Sequence, residues 1–529
     1  MGMDWQSEVD VVVVGSGAGG MLAALVAAKN RAEVLVVEKD KLWGGTSATS
    51  GGGIWIPGSD QAKALGFDDN LDDAFKYVRA LSADNVPDEN IRAYVENAAP
   101  MLRWVTANTG VTYTSQPYPD YHAENPGGSV TGYRTHLPEM FDGTLLGEDL
   151  KTQRLPSPAA SLFGYLNWTF AETYQLLYRG PGWLTGLAKN MAKYWFDWPL
   201  RFTSRKDRRL TLGNALTGGL RVALNEAGVP VWLKTPMREL VTENGKVVGI
   251  VVEKGGKPFA VRARKGVVLA AGGFDKNQQM RDANAPLYNK AWASGGVTSN
   301  TGDAIRAGEA VGAGTMNMHS AWAAPVFHVP GEDRGRLCTI ERALPGCIMV
   351  NQKGQRYLNE AASYHIVGQQ MARRQREFGD ASPSWMVFDH KYRHQFPMGP
   401  LLPLVPDWLQ SGAVKSILKK GRTIGELAKA MGVDPAALEL QVTRFNAGAA
   451  KGEDPEFHRG EAAYDKMYGD YRHQPNPCLR PLTEGPFYAM PIYPGDIGTN
   501  GGLRTNAKAQ VLPNGIIVET KGRFLTADR

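Results

Sequence analysis

The chain has 529 residues, of which 43% are hydrophobic and 21% charged, which is enough for two or more domains with proper cores. A net charge of +6 spread over this length lacks the clustered basic stripe of a nucleic-acid-binding protein. The three cysteines, Cys338, Cys347 and Cys478, exclude a disulfide framework and fit no zinc-ligand spacing, and no other residues are spaced to suggest a metal.

The N-terminus, residues 1–8, lacks the charged and then apolar layout of a signal peptide. The apolar run that follows, Val9–Val14, is too short to span a bilayer. These features predict a cytoplasmic protein.

The first predicted element is a strand over Val9–Val14, because a continuous β-branched run is typical of a strand buried on both faces of a parallel sheet. A glycine-rich turn, a small-residue helix from Met21 and a second strand, Val34–Val37, follow. Glycines in this order permit a tight turn and a close approach to a pyrophosphate, which the helix N-terminus then binds. Glu38 closes the second strand, where its carboxylate can accept from ribose hydroxyls and disfavours the 2′-phosphate of NADP.

A second glycine-rich stretch follows within a few residues, at 44–47 and 50–53. Such loops bring backbone N–H groups and small hydroxyls against a large planar cofactor, which favours FAD over NAD. The predicted cofactor-binding residues are Gly15, Ser16, Gly17, Ala18, Gly19, Gly20, Glu38, Lys39, Gly45, Thr46, Ser47, Ser50, Gly51, Gly52, Ala271 and Gly272.

Later elements include a strand over 229–233, a hairpin over 240–250 with an Asn244-Gly245 turn, and a buried strand from Val267 that ends in glycines. With the two glycine-rich stretches, these segments resemble the 3-ketosteroid Δ1-dehydrogenases of the fumarate reductase and succinate dehydrogenase flavoprotein superfamily. The motifs that carry the resemblance are Gly44–Ser47 with Ser50–Pro57, Asp120–His122 with Gly127 and Gly128, Val267–Phe274, Asn300–Asp303, Asn359–Tyr364, Gly485–Ala489, Pro494–Gly498 and Gly501–Thr505.

The resemblance implies an α/β fold in which a Rossmann-type FAD-binding domain is interrupted by an inserted α+β catalytic domain. We expect the FAD-binding domain at 1–150 and 213–290, an aromatic and basic insertion at 151–212, the catalytic domain at 291–478, and a return to the FAD-binding domain at 479–529. The implied activity is FAD-dependent 1,2-dehydrogenation of a 3-ketosteroid during steroid degradation, with a quinone-like electron acceptor.

The resemblance also assigns catalytic roles to two tyrosines. Tyr364 matches the tyrosine that removes the C2 proton, and Tyr121 matches the one that assists it by a hydrogen bond. A phenol whose ordinary pKa is about 10 is a poor base at neutral pH, so such assistance is needed. Without the motifs, each would be interpreted as an amphipathic core tyrosine, and Tyr118 lies three residues before Tyr121.

The end of the sequence departs from the family. There the family continues with Tyr-Ala-Ala-Gly-Asn and then Tyr-Pro-Gly-Pro-Gly, which help to hold the flavin and the 3-keto oxygen, whereas this sequence runs Glu519–Arg529. Tyr493–Gly495 is similar but lies too early. We therefore expect the carbonyl-polarising group and part of the flavin site to be missing from the sequence.

The insertion is rich in aromatic residues beside a basic cluster, which is typical of a surface that docks on an anionic membrane. Such docking suits a sterol substrate with its side chain intact, and the chain most resembles enzymes acting on cholest-4-en-3-one. An aromatic subdomain or oligomer contact is the alternative interpretation. The residues are Phe163, Tyr165, Trp168, Phe170, Tyr174, Tyr178, Trp183, Tyr194, Trp195, Phe196, Trp198 and Phe202, with Arg201, Arg205, Lys206, Arg208 and Arg209.

Other functions remain open at this point. A Δ4-(5α)-ketosteroid dehydrogenase would use related residues on a different ring bond. A fumarate-reductase-like enzyme would need arginine and histidine for a dicarboxylate, for which His365 is the candidate. A flavin or sterol binder without activity, and a membrane-surface scaffold, are the non-enzymatic alternatives.

Overall fold

The computed structural model describes residues 3–158, 161–162 and 165–514. Its helices are α1 Ala18–Lys29, α2 Gly45–Thr49, α3 Asp60–Ala64, α4 Leu71–Leu81, α5 Asp88–Thr109, α6 Phe170–Leu177, α7 Trp183–Trp195, α8 Trp198–Arg201, α9 Leu212–Glu226, α10 Gln278–Asn284, α11 Asp303–Ala310, α12 Tyr364–Phe378, α13 His390–Gln395, α14 Gly412–Ile417, α15 Ile424–Met431, α16 Pro435–Ala449 and α17 Ala463–Met467.

Its strands are β1 Ser7–Val14, β2 Val34–Val37, β3 Ile54–Trp55, β4 Tyr113–Gln116, β5 Thr135–Pro138, β6 Phe141–Asp142, β7 Ser161–Leu162, β8 Leu166–Asn167, β9 Arg209–Leu210, β10 Val231–Trp232, β11 Met237–Glu243, β12 Lys246–Lys254, β13 Lys257–Leu269, β14 Thr315–Met316, β15 Ala321–Phe327, β16 Arg336–Leu337, β17 Cys347–Val350, β18 Ser384–Phe388, β19 Lys419–Gly421, β20 Phe487–Thr499 and β21 Gly502–Leu503.

A six-stranded sheet in the order β10-β2-β1-β13-β12-β11 forms the first domain. Strands β10, β2, β1 and β13 run parallel, whereas β13, β12 and β11 are successive antiparallel neighbours. The turn between β11 and β12 has φ of 51° at Asn244 and 73° at Gly245, as expected for this dipeptide. The predicted Rossmann-type fold is confirmed.

Helix α1 connects β1 to β2 and packs on the sheet through a stripe of small and apolar side chains. Met21, Ala24 and Leu25 are fully buried there together with Leu220 and Leu224 of α9. The continuous β-branched sequences of β1 and β2 are explained by this cover, because helices bury one face and the other face packs on a second apolar cluster.

A second sheet, in the order β16-β15-β20-β18-β17 with β19 also pairing with β20, forms the other domain. The long strand β20 lies between β15 and β18. Two apolar clusters cover this sheet, one with α12 and α13 and the other with α15 and α16. The expected return of 479–529 to the first domain therefore needs correction, because residues 487–499 supply a central strand of the second sheet.

The aromatic insertion is split between buried and exposed aromatic side chains. Trp168, Tyr178 and Tyr194 are buried, but five large side chains of α7, α8 and the flanking turns are between 55% and 82% exposed, namely Leu184, Trp195, Phe196, Trp198 and Phe202. Phe163 lies outside the described residues. In the part of the chain that the structure describes, no helix is long and apolar enough to cross a membrane.

Candidate active site

The turn after β1 is tightly constrained by the neighbouring strand. Gly15 has φ +106°, and a Cβ on it would lie 2.3 Å from the carbonyl oxygen of Ala270, which follows β13. A Cβ on Gly20 would lie 2.2 Å from the carbonyl oxygen of Gly15. These two glycines therefore let the chain fold back on itself, as the sequence pattern predicts.

By contrast, the other glycines of the turn face open space. A Cβ on Gly17 would have its nearest neighbour, the Ser47 hydroxyl, at 3.6 Å, and one on Gly19 would meet nothing within 4 Å. Gly17 is the N-cap of α1, whose first turn contains no acidic residue. Open space, free N–H groups and the positive helix end fit the pyrophosphate of a dinucleotide.

Glu38 is held in a fixed position at the end of β2. One of its carboxylate oxygens accepts from the backbone N–H of Ser16 at 3.0 Å and from its hydroxyl at 2.6 Å, and the other accepts from the N–H of Asp40. The side chain of Lys39 points instead to Asp303, with an Nζ to carboxylate distance of 2.6 Å. Lys39 therefore ties the 300–303 motif to the first domain.

Helix α2 carries the second glycine-rich motif to the same place. The Ser47 hydroxyl accepts from the N–H of Ala18 at 3.0 Å, and the Thr49 hydroxyl donates to the carbonyl of Gly295 at 2.8 Å. Asn214 of α9 donates to the carbonyl of Ala48 at 2.6 Å. The two predicted glycine-rich stretches thus lie against each other.

Asn300 connects the third glycine-rich turn to this cleft. Its amide donates to the hydroxyl of Thr46 at 3.0 Å, and a Cβ on Gly272 would lie 3.1 Å from its carbonyl oxygen. Asn300 was named only as part of a motif and Asn214 was not singled out at all, since a lone asparagine gives no signal before its partners are known. The same turns contain the remaining predicted residues Gly45, Ser50, Gly51, Gly52 and Ala271.

The hydroxyls of Tyr121 and Tyr364 are hydrogen-bonded to each other in the structure. The hydroxyl of Tyr121 donates to that of Tyr364 at 2.7 Å, and their rings are edge-on with centroids 5.4 Å apart. Tyr364 is 8% exposed and is the first residue of α12, whereas Tyr121 lies on a loop and is 39% exposed. The pairing matches the arrangement that the motifs predict.

The surroundings of the two hydroxyls differ in the way a base and its assistant require. Burial raises the pKa of Tyr364, while hydrogen bonds from Tyr121 and Trp322 and the charge of Arg342 oppose that rise. Burial raises the pKa of Tyr121 well above its ordinary value, and its neighbouring tyrosines raise it further. Of the two hydroxyls, that of Tyr364 therefore loses its proton more readily, and Tyr121 is the hydrogen-bond donor.

A buried ion network fixes the loop of Tyr121. Asp120 accepts from the indole of Trp55 at 2.6 Å and from the guanidinium of Arg134 at 2.9 Å. Arg134 also binds Asp69 through two nitrogens, at 2.7 and 2.9 Å. Since Trp55 follows the second glycine-rich stretch, the loop of Tyr121 is anchored beside the predicted cofactor cleft.

Tyr364 is connected to the cleft from the opposite side. It packs beside Trp322 of β15, whose neighbour Ala321 pairs with Thr499 of β20. The Thr499 hydroxyl accepts from the N–H of Phe274 at 3.0 Å, just after the third glycine-rich turn. Short connections therefore join each tyrosine to a different wall of the cleft.

Two further tyrosines that the sequence analysis missed complete the cluster. Tyr464 of α17 lies edge-on to Tyr121 at 5.1 Å, and Tyr468 lies edge-on to Tyr464 at 5.5 Å. Their spacing of four residues places both on one face of a helical turn, which is the signal that could have found them.

Three other candidates from the sequence lie outside the Tyr121–Tyr364 hydrogen bond. Tyr118 packs on Phe170 at 5.8 Å, and burial raises its pKa to about 12. Tyr493 stacks on Trp292 in the second sheet. Burial lowers the pKa of His365, which favours its neutral form and gives no cation for a dicarboxylate. The expected loss of the carbonyl-polarising motif falls on residues 515–529, outside the described residues.

Comparison with known proteins agrees with this geometry. The chain matches the family described as FAD binding domain over residues 10–519. It is 38% identical to a 3-oxosteroid 1-dehydrogenase of Mycolicibacterium smegmatis over 96% of this chain and 89% of that protein. It is 35% identical to a 4-oxocyclohexanecarboxylate 2-dehydrogenase of Sinomonas cyclohexanicum over 96% of this chain and 85% of that protein.

A solved structure extends the comparison to three dimensions. The 3-ketosteroid delta1-dehydrogenase from Sterolibacterium denitrificans, in complex with 1,4-androstadiene-3,17-dione, superimposes with a TM-score of 0.92 at 42% identity. The alignment covers 98% of this chain and 92% of that one. The two chains therefore share the same overall fold.

The glycine turn after β1 gives a first prediction. Gly15→Ala places a methyl group 2.3 Å from the Ala270 carbonyl oxygen at a φ of +106°, so the turn must open and the purified protein should contain less than about a tenth of the FAD of the unsubstituted chain. The flavin absorbance per protein measures this.

Gly245→Ala is the matched control, because its φ of +73° is similar but its Cβ would meet nothing within 4 Å at the hairpin tip. We expect full flavin content for this control. A Gly15→Ala protein with one FAD per chain would show that the turn does not hold the cofactor.

Proposed function

The chain belongs to the flavoprotein family defined by the FAD binding domain, and from that premise we propose that it is an FAD-dependent 3-oxosteroid Δ1-dehydrogenase. The observation that carries the proposal is the 2.7 Å hydrogen bond from Tyr121 to Tyr364 beside the glycine-lined cleft. Oxidation of a carbon–carbon bond next to a ketone needs a base for the α-proton and an acceptor for the hydride.

The chain's own residues supply the proton-transfer part of this reaction. Tyr364, in its ionised form, accepts the proton from C2, and the electrons of that C–H bond pass into the enolate of the 3-ketone. Tyr121 donates a hydrogen bond that stabilises the negative charge on Tyr364 before the transfer. FAD, when bound, supplies the acceptor for the hydride that leaves C1. The glycine turns, Ser16, Glu38 and α2 hold the cofactor in position.

A cavity beside the tyrosine cluster supports a substrate with a side chain. It has a volume of about 260 Å³ and is lined mainly by Tyr174, Tyr178, Lys466, Met467 and Tyr471. Lys466 and Met467 belong to α17, the same helix that presents Tyr464 to the catalytic pair. We infer that the steroid nucleus lies against the tyrosines and that the cavity receives the side chain of cholest-4-en-3-one.

The exposed apolar surface of the insertion supports docking on an anionic membrane. We define the insertion patch as Leu184, Trp195, Phe196, Trp198 and Phe202, each more than half exposed. Of the basic cluster predicted from the sequence, Arg201, Arg208 and Arg209 form ion pairs with Asp197 or Glu172. Each basic residue that stays exposed in this segment contributes about 1 kcal/mol near an anionic lipid surface. A docked enzyme would take sterols from the bilayer and pass electrons to a quinone-like acceptor. The exposed basic residues are Lys189, Lys193 and Arg205.

The reaction itself is tested by mixing the flavin-loaded enzyme with a ketone under anaerobic conditions. Cholest-4-en-3-one is expected to bleach the flavin at 450 nm faster than androst-4-ene-3,17-dione, because only the former fills the cavity. Bleaching by 4-oxocyclohexanecarboxylate but by neither steroid would instead indicate the activity of the 4-oxocyclohexanecarboxylate 2-dehydrogenase. No bleaching by any of the three would contradict the proposed reaction.

The substitution Met467→Trp tests the role of the cavity without changing the catalytic tyrosines. The larger side chain should lower kcat/KM for cholest-4-en-3-one about tenfold or more and leave that for androst-4-ene-3,17-dione within about twofold. Equal losses for both steroids would show that the cavity does not receive the side chain.

The tyrosine pair gives a further prediction. Tyr364→Phe should lower kcat by about 10²–10⁴-fold, the usual contribution of a general base, and Tyr121→Phe should cost less, about 10-fold to 100-fold. Because the base acts in its ionised form and burial raises its pKa, kcat/KM of the unsubstituted enzyme should rise with pH through the alkaline range. Stopped-flow flavin reduction between pH 7 and 10 measures both effects.

Tyr113→Phe is the control for this series, since Tyr113 is also a buried tyrosine but packs in a separate apolar cluster. We expect its rate within about twofold of the unsubstituted enzyme. Retention of more than a tenth of the activity by Tyr364→Phe would remove Tyr364 from the role of base.

Membrane docking is tested by flotation with vesicles. The double substitution Phe196→Ser with Phe202→Ser removes two side chains that are 71% and 82% exposed and should abolish flotation with vesicles that contain anionic lipid. Leu65→Ser with Leu440→Ser, at 58% and 52% exposure on other surfaces, is the control and should float normally. Normal flotation of the first double variant would exclude the insertion patch as the docking surface.

A further inference from the structure

Arg342 is a fully buried arginine directly behind the proposed base. It lies in a short helical turn, Glu341–Ala343, and none of its surface is exposed. One terminal nitrogen donates to the backbone carbonyls of Glu360 and Ala362, and its Nε donates to the carbonyl of Cys338 at 3.2 Å. The carbonyls of Glu360 and Ala362 belong to residues four and two positions before Tyr364.

The guanidinium has no carboxylate partner. Among the described residues, its second terminal nitrogen donates no hydrogen bond, and the guanidinium forms no ion pair with an Asp or Glu carboxylate. Arg281 and Arg459 are equally buried and Arg393 nearly so, and each has an ion pair: Arg281 with Asp496, Arg393 with Asp407 and Arg459 with Glu360. An unpaired buried charge is costly, so the position needs a reason other than stability.

The charge of Arg342 acts on the tyrosine cluster. The positive charge of Arg342 lowers the pKa of Tyr364, of Tyr464 and of Tyr468, against burial, which raises all three. Burial raises the pKa of the adjacent acid, Glu341, and the charge of Arg342 opposes that rise. The other titratable groups near the base or near the guanidinium are Tyr121, His365, Cys338, Cys347, Asp465, Glu360 and Arg459.

The loop in front of Tyr364 is held from two independent directions. Arg342 binds its backbone carbonyls, whereas Arg356 binds the carboxylate of Glu360 through two nitrogens at 2.8 Å and that of Asp454 at 2.7 and 2.9 Å. Arg356 is thus neutralised by its two partners, and it is not among the groups that act on the pKa of Tyr364. Both arginines hold the loop in place, but only Arg342 lacks a carboxylate partner for its charge.

We propose that Arg342 is a positioning residue that holds the Tyr364 loop by two carbonyl oxygens and keeps an unpaired positive charge beside the tyrosine that takes the substrate proton. The charge favours the ionised hydroxyl of Tyr364, which then accepts the C2 proton without a separate basic side chain. The inference rests on the proposed function, because it concerns the base of that reaction.

The test compares substitutions that separate the charge from the hydrogen bonds. Arg342→Lys keeps the charge, Arg342→Gln keeps N–H donors for the carbonyls but loses the charge, and Arg342→Met loses both. The readout is the pH at which kcat/KM reaches half of its alkaline maximum in anaerobic flavin reduction by a steroid. We expect this pH to rise by one unit or more in the Gln and Met variants and to stay within about 0.3 unit in the Lys variant.

A second readout does not depend on hydride transfer. Exchange of the C2 hydrogens of the bound steroid with D₂O, followed by NMR, reports the base alone. At pH 7.5 we expect exchange to slow at least tenfold in Arg342→Gln and to recover at pH 10. Arg356→Gln is the matched control, since it loosens the same loop without removing an unpaired charge, and it should lower the rate at every pH without moving the profile.

A merely structural role predicts a different pattern. An unchanged profile in Arg342→Gln, or a shift in Arg342→Lys as large as that in Arg342→Gln, would overturn the proposal. Arg342→Met is the second variant if Arg342→Gln does not fold, because an apolar side chain removes the cost of burying an unpaired charge. If the unsubstituted enzyme itself reduces no flavin with any steroid, the proposed function fails first, and the variants are not its cause.

Discussion

The hydrogen bond between Tyr121 and Tyr364 joins two segments that are 243 residues apart in the chain. Buried charged side chains hold both segments in place. A phenol can act as a base only if the donor to its oxygen stays within a few tenths of an ångström of the right position. Asp120 and Arg134 fix one loop, and Arg342 fixes the other through backbone carbonyls. The reactive pair is therefore preorganised by groups that do not themselves touch the substrate.

The two domains contribute different parts of this arrangement. The parallel sheet ends in three glycine-rich turns that leave room for a cofactor. At some of these glycines a Cβ atom would collide with neighbouring backbone, and at others it would occupy the open space of the cleft. The second domain carries Tyr364 on α12 and Trp322 on β15, and it meets the first domain through Thr499 and Phe274. The buried arginines of the second domain add little to stability by themselves, since burying an ion pair costs about as much as it returns. Their effect is to select one conformation of the loop.

Local patterns in the sequence predicted the structural features that depend only on residues close together in the chain. The β-branched run of β1, the glycines at 15, 17 and 20, and the Asn244-Gly245 turn each determine a local backbone shape. Tyr364 and Tyr121 came only from the resemblance to a family. Arg342 binds backbone carbonyls 18 and 20 residues further along the chain, and no periodicity signals this contact. The contact of Tyr464 with Tyr121 and the position of β20 in the second sheet depend on segments that are far apart in the sequence. No local pattern encodes such crossings.

The central claim is that Tyr121 acts through Tyr364, and a double-mutant cycle tests it most directly. The rate of flavin reduction by a steroid is compared in the unsubstituted enzyme, Tyr121→Phe, Tyr364→Phe and the double variant, with all four fully loaded with FAD. If Tyr121 serves only the base, the double variant should be no slower than Tyr364→Phe alone, within about twofold. Losses that multiply in the double variant would mean that the two hydroxyls act independently, and the account of a coupled pair would be wrong.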